Sequence, residues 1–306
     1  MSSLEGMLIL DLSHRLPGPM AGKVLADLGA KVIKVEDQKF KDPFIEGLFA
    51  EMDPSFPHWY EELNSCKQIL RIDFKSPDAK AQLSELVQKA DGIIMGLPPK
   101  VRAALGVDQE SLEKLARPLC QVELFSKRNL TRGMHDLNAL ADTGLLKLYV
   151  EGKSEPIVNP PFLPVAGISF GHKAATDLLA GLLKARATGK AQFIESFLYE
   201  STEELLSPFW PKACREKGIM QTLHNGRYPC YSIYRLGDGQ YAALAAVEEK
   251  FWQRFCEATG VEIEPSLRFH FADQTIFKQV SAVFSKLSSA DVSKLIEQHD
   301  MCLSLI

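Results

Sequence analysis

The feature that most constrains this chain is its opening. A short apolar run at residues 7–12 leads into a loop carrying Pro17, Gly18 and Pro19, then an amphipathic stretch at 20–28, then a second apolar run at 30–35. Apolar residues without alternation suit strands covered on both faces, and Gly29 suits the end of a helix. A strand, a helix and a strand in that order make a βαβ unit, which builds parallel sheet. The pattern continues with strands expected at 69–74, 92–95 and 119–125, and helices at 78–89 and 109–116. Over residues 5–126 this is a doubly wound α/β pattern.

Beyond it the spacing turns helical at 136–146 and at 171–188, where Ala174, Leu178, Leu182 and Ala185 form one stripe ending at Gly189. A further helix is expected around 196–206. Residues 228–244 read as two strands joined at Gly237-Asp238-Gly239, an Asp-Gly turn signal, and 251–297 are mostly helical in pattern. The expected organisation is a large doubly wound domain at 1–190, followed by linker helices and a smaller α+β domain at 191–306. With 306 residues the chain can bury a substantial core without staples.

Composition excludes several functions. A formal charge of −4 with 24% charged residues gives no footprint for nucleic acid. The six cysteines (Cys66, Cys120, Cys214, Cys230, Cys256, Cys302) form no CxxC pair and accompany no His cluster at metal-ligand spacing, so reduced thiols and no metal are expected. The start, MSSLEGMLILDLS, has no basic region before its apolar run, and no apolar run reaches the ~20 residues of a membrane span. A cytoplasmic protein with no membrane or nucleic-acid partner is expected.

The run Asp11-Leu12-Ser13-His14-Arg15-Leu16-Pro17-Gly18-Pro19, followed by Leu25-Ala26-Asp27-Leu28-Gly29-Ala30-Lys31-Val32-Ile33-Lys34-Val35-Glu36, closely resembles the opening signature of the type III CoA-transferases, the CaiB/BaiF family. Physically it is a strand, a Pro/Gly loop and a helix N-terminus whose free N–H groups can meet a phosphate. Further blocks resemble the family in order: Asn64 and Lys67, Leu70 to Asp73, Ala104 to Val107, His135 to Asn138, Gly189 to Gln192, Gly226 to Tyr231, Asp238-Gly239, Glu248, and Phe251-Trp252. The nearest pattern is the α-methylacyl-CoA racemase branch. The resemblance implies a Rossmann-like large domain, a small domain, an interlocked homodimer, and a coenzyme A thioester as substrate or ligand with no covalently bound cofactor. It also implies a C-terminal return segment beyond the Asp300-Met301-Cys302 step, which this sequence lacks.

In the racemase branch a His and an Asp exchange the α-proton of a 2-methylacyl-CoA on opposite faces. His135 matches that histidine, with Asp136 beside it, and a neutral imidazole can act as base near neutral pH. Taken alone, His135 and Asp136 also read as a helix cap. Glu248 matches the supporting carboxylate. The step Val165-Ala166-Gly167, in the loop 160–167, resembles the family's Leu-Ala-Asp, which puts Gly167, or Ala166 with the alignment shifted by one, where the aspartate belongs. Glycine can neither carry a proton nor attack a thioester, and in the transferase branch that aspartate is the nucleophile. Asp142, Ser169 and His172 lie near these loops in sequence, but nothing in the spacing selects a substitute. The family's Arg-Pro-Gly phosphate turn is here Pro98-Pro99-Lys100, so the coenzyme-binding candidates are Arg15, Leu16, Pro17, Gly18, Lys39, Lys100 and Arg102. Two functions are expected to compete: an acyl-CoA racemase-like or transferase-like enzyme, and a catalytically silent paralogue that binds acyl-CoA or a partner subunit.

Overall fold

In a computed structural model describing residues 2–130, 133–219 and 223–306, the chain forms two compact units, Met1–Pro208 and Phe209–Ile306. The first is built from β1 (Leu8–Leu12), α1 (Pro17–Asp27), β2 (Lys31–Asp37), α2 (Leu48–Met52), α3 (Ser55–Asn64), β3 (Gln68–Ile72), α4 (Ala79–Val87) and β4 (Gly92–Met95). It continues through α5 (Pro99–Leu105), α6 (Gln109–Glu113), β5 (Cys120–Phe125), α7 (Asp136–Asp142), α8 (Leu145–Val150), α9 (Val165–Thr188), β6 (Gln192–Phe197) and α10 (Leu198–Leu206). All six strands pair in parallel, in the order β3-β2-β1-β4-β5-β6.

The two faces of the sheet explain why its strands are mostly apolar without strict alternation. Leu10, Leu12, Ile33, Val35, Ile93 and Met95 pack under α4, α5 and α6. Ile9, Val32, Ile94 and Val122 face the other way, against Leu25 of α1 and Ala174, Leu178 and Leu182 of α9. Because strand side chains alternate, Asp11, Lys34 and Glu36 share the face of Ile9 and Val32, and all three are fully buried there.

The structure departs from the sequence reading in definite places. The helical pattern at 136–146 is two short helices, because Gly144 takes φ +89°, a turn conformation open to glycine, between α7 and α8. The loop at 160–167 ends at Pro164; α9 starts at Val165 and places Gly167 in its first turn. Ser196 belongs to β6, an edge strand beside β5, and α10 begins two residues later. Pro99 opens α5, where its missing N–H is no loss.

The second unit contains α11 (Lys212–Glu216), β7 (Tyr231–Arg235), β8 (Tyr241–Ala245), α12 (Glu249–Thr259), α13 (Thr275–Phe284), α14 (Ser289–Gln298) and β9 (Leu303–Leu305). Its antiparallel sheet, β7-β8-β9, packs Tyr234, Ala242 and Leu244 against Trp252, Phe255 and Phe284. Among the described residues no helix is long and apolar enough to cross a membrane. The six cysteines are free thiols.

Candidate functional site

From β1 the chain steps outward to β2 and β3, and from β4 it steps the other way to β5 and β6. The loops leaving the carboxyl ends of β1 and β4 therefore part company, and in an open parallel sheet that divergence leaves the crevice where ligands bind. Two loops meet there. Residues 13–16 follow β1, and residues 96–98 follow β4, with the Gly96 N–H donating to Leu12 O at 3.0 Å. Gly18 permits the turn from loop to helix: a Cβ there would lie 1.9 Å from Ser13 Oγ, so any larger residue would force the backbone apart.

Beneath this loop lies a cluster of charged side chains that sequence reasoning did not assign. Lys67 Nζ donates to Asp11 Oδ2 (2.9 Å), Pro19 O (2.7 Å) and Asn64 Oδ1 (2.9 Å), which uses all three of its protons. Burial pushes the Asp11 carboxyl upward, but the Lys67 and Lys34 ammonium groups and the Ser13 hydroxyl outweigh it and hold Asp11 below its ordinary value. Lys34 Nζ donates to Ser13 O at 2.7 Å and lies 3.5 Å from Asp42 Oδ2 and 3.7 Å from Glu36 Oε1. Glu36 accepts the Tyr60 hydroxyl at 2.9 Å. His14 sits over this cluster with its Nε2 buried and without a partner, and burial lowers its pKa. The sequence did carry a signal: charged residues at alternate positions of an apolar strand, in Lys34 and Glu36.

The start of α9 forms the facing wall. Asp136 Oδ1 accepts the Gly167 N–H at 2.7 Å, so the first residue of α7 caps the first turn of α9. Burial raises the Asp136 carboxyl above its ordinary value, against the lowering effect of the Gly167 and Ala166 N–H groups. Met134, Ala139 and Leu140 anchor α7 to Ala166 and Phe170 of α9 and Leu198 of α10. This leaves His135 exposed at the N-cap, its backbone N–H donating to Asn138 Oδ1 at 3.0 Å. A Cβ on Gly167 would lie 2.8 Å from Leu16 Cδ2 and 3.6 Å from Asp136 Oδ1. The space of a side chain at 167 is thus taken by Leu16 of the β1 loop. His135, Asp136, Gly167 and Leu16 are brought to one place.

Arg15 and Pro17 stay with the β1 loop, and the other candidates disperse. Arg15 is exposed, with its guanidinium 5.6 Å from the Phe49 ring centre. Pro17 is the first residue of α1. Lys39 pairs with Asp73 at 2.7 Å, and Arg102 pairs with Glu123, so both cations are engaged. Lys100 is exposed in the first turn of α5. Glu248 belongs to the second unit, exposed at the N-cap of α12. A cleft of about 860 Å³ in that unit, lined by residues such as Gly260, Gln279 and Lys286, contains none of the site residues. No group of three or more His, Cys, Asp or Glu among the described residues could hold a metal ion.

Comparison with known proteins gives a consistent result. The sequence pattern of CoA-transferase family III matches residues 4–306. Human alpha-methylacyl-CoA racemase is 25% identical over 99% of this chain and 77% of its own length. Succinate--glutarate CoA-transferase of Agrobacterium fabrum is 26% identical over 84% of this chain and 66% of its own. A crystal structure of a CaiB/BaiF family protein from Brucella suis superposes with a TM-score of 0.79 at 20% identity, covering 97% of this chain and 82% of that one.

Proposed function

The chain belongs to CoA-transferase family III, and from that premise we propose that it acts on acyl-CoA thioesters through racemase-like α-proton transfer on a 2-methylacyl-CoA. The observation that carries the reading is the meeting of Leu16, Gly167 and Asp136, next to His135, at the switch-point crevice. There the exposed His135 imidazole is the base for the α-proton, the loop after β1 and the N-terminus of α1 receive the phosphates, and Arg15 supplies positive charge. The match to alpha-methylacyl-CoA racemase over 99% of this chain supports the choice of substrate.

Proton transfer is preferred to coenzyme transfer because of Gly167. Loss of one proton-transfer group reduces a rate by about 10²–10⁴-fold and leaves exchange from the other face, whereas loss of the nucleophile leaves a covalent transfer no route. The same glycine supports a second reading, a silent paralogue that binds acyl-CoA without turning it over. We also propose a cytoplasmic homodimer: Phe162, Ile157 and Leu183 are 95%, 84% and 72% exposed, apolar surface that a second copy would cover.

The test is deuterium incorporation at C2 of a 2-methylacyl-CoA in heavy water, followed by mass spectrometry. The unmodified protein should exchange slowly and His135→Ala should not. Equal exchange in the two would refute His135 as the base, and none in either with the ligand bound would leave the silent paralogue as the function.

A further inference from the structure

Arg15 presents a physical contradiction. Its φ is +65°, in the left-handed region where glycine is favoured and a side chain costs energy. The strain is held in place from below. The Arg15 N–H donates to Asp42 Oδ2 at 2.9 Å, and Asp42 Oδ1 accepts the Phe44 N–H at 3.1 Å. The Asp42 carboxylate is fully buried, 3.5 Å from Lys34 Nζ, and Lys34 in turn holds the Ser13 carbonyl at 2.7 Å. The loop is thus gripped at two main-chain points, Ser13 C=O and Arg15 N–H, by two oppositely charged buried side chains. Such groups are expensive to bury, and apolar residues of similar volume often stabilise a fold as well or better. Glycine at 15 would remove the strain, yet the position carries a long cation, exposed and set beside Phe49.

We infer that Asp42 is a positioning residue for phosphate recognition: with Lys34 it fixes the Arg15 main chain so that the guanidinium is presented at the crevice to the phosphate-bearing half of coenzyme A. This rests on the reading that a CoA thioester is the ligand. It goes further by separating the group that meets the phosphate, Arg15, from the group that sets its geometry, Asp42, which never touches the ligand. Charge alone makes the opposite prediction. Asp42 is an anion near an anion-binding loop, so neutralising it should favour a phosphate if only the field mattered. If position matters, neutralising it weakens binding.

The experiment is titration calorimetry of coenzyme A into the full chain and into Arg15→Gln, Asp42→Asn and the double variant, at two salt concentrations. The account expects each single variant to bind about tenfold or more weakly, and the double variant to bind no more weakly than Arg15→Gln. It also expects Asp42→Asn to flatten the salt dependence of Kd as Arg15→Gln does, a change that general loosening of the fold would not produce. Tighter or unchanged binding by Asp42→Asn, or additive losses in the double variant, would overturn the inference. Should Asp42→Asn fail to fold, Lys34→Met/Asp42→Asn leaves the net charge of the cluster unchanged and is read in the same way. Absence of CoA binding by the unmodified chain would remove the functional reading itself, a result distinct from additivity in a chain that binds.

Discussion

Restoring a carboxylate at position 167 probes the site most sharply, and its consequences follow from three contacts. A Cβ on Gly167 would stand 2.8 Å from Leu16 Cδ2, too close for both to stay, although the obstacle is the end of a movable side chain. Overpacking of this kind costs about 1–3 kcal/mol. It is offset by roughly 0.3 kcal/mol for replacing glycine in a helix with aspartate, itself a poor helix former, and by about 0.3–1 kcal/mol for a negative charge in its first turn. Gly167→Asp should therefore lose on the order of 1 kcal/mol, about 2–4 °C in Tm for a unit of this size. Gly167→Ala reports the cost of the Cβ alone, and Leu16→Ala/Gly167→Asp relieves the contact. The new carboxylate would also sit close to Asp136, whose Oδ1 is 3.6 Å from that Cβ, so the pair would share a proton more readily than either alone. Heavy-water exchange on a 2-methylacyl-CoA should rise by about 10²-fold, the lower end of what a proton-transfer group supplies. A folded Gly167→Asp protein with unchanged exchange, alone and with Leu16→Ala, would refute the assignment of position 167 to the absent aspartate.

Two further outcomes follow from the buried charges. Lys67→Ala leaves Asp11 buried without its three-way partner and should lose about 3–5 kcal/mol in urea unfolding; a loss below about 1 kcal/mol would mean that the Lys67 contacts do not hold the loop. For His14 the folded pKa lies below the unfolded value of 6.5, so the unfolded chain binds the proton first. Stability is then fully present above pH 6.5 and declines below it, at up to about 1.4 kcal/mol per pH unit, until the folded pKa is reached. Urea unfolding between pH 7.5 and 5.5 should show a shallower decline for His14→Asn than for the unmodified chain, and parallel declines would contradict the burial of Nε2.

The sheet was legible because its strands from Leu8–Leu12 to Cys120–Phe125 are mostly apolar and alternate with helical stretches. The edge strand Gln192–Phe197 was not: its sequence, QFIESF, mixes polar and apolar residues and runs straight into α10. Helices α2 and α3 were also missed: Phe56, Pro57 and Trp59 do not look like helix formers, and Phe49 of α2 and Phe56 and Trp59 of α3 are held by aromatic packing against Phe44. At the candidate site, Arg15 to Gly18, His135, Asp136 and Gly167 were singled out by resemblance to the family. That Leu16 fills the space beside Gly167 was not, because residues 16 and 167 meet only once α1 and α9 lie side by side on the sheet. Asp42 was invisible for a similar reason: on paper it is one more charge in a polar stretch, and only its burial reveals its part.

Titration calorimetry of the purified chain with coenzyme A and a 2-methylacyl-CoA tests the central claim most directly. The account predicts saturable micromolar binding of both, weakened by Arg15→Gln. No binding of either would contradict it and leave a family fold without the family's ligand.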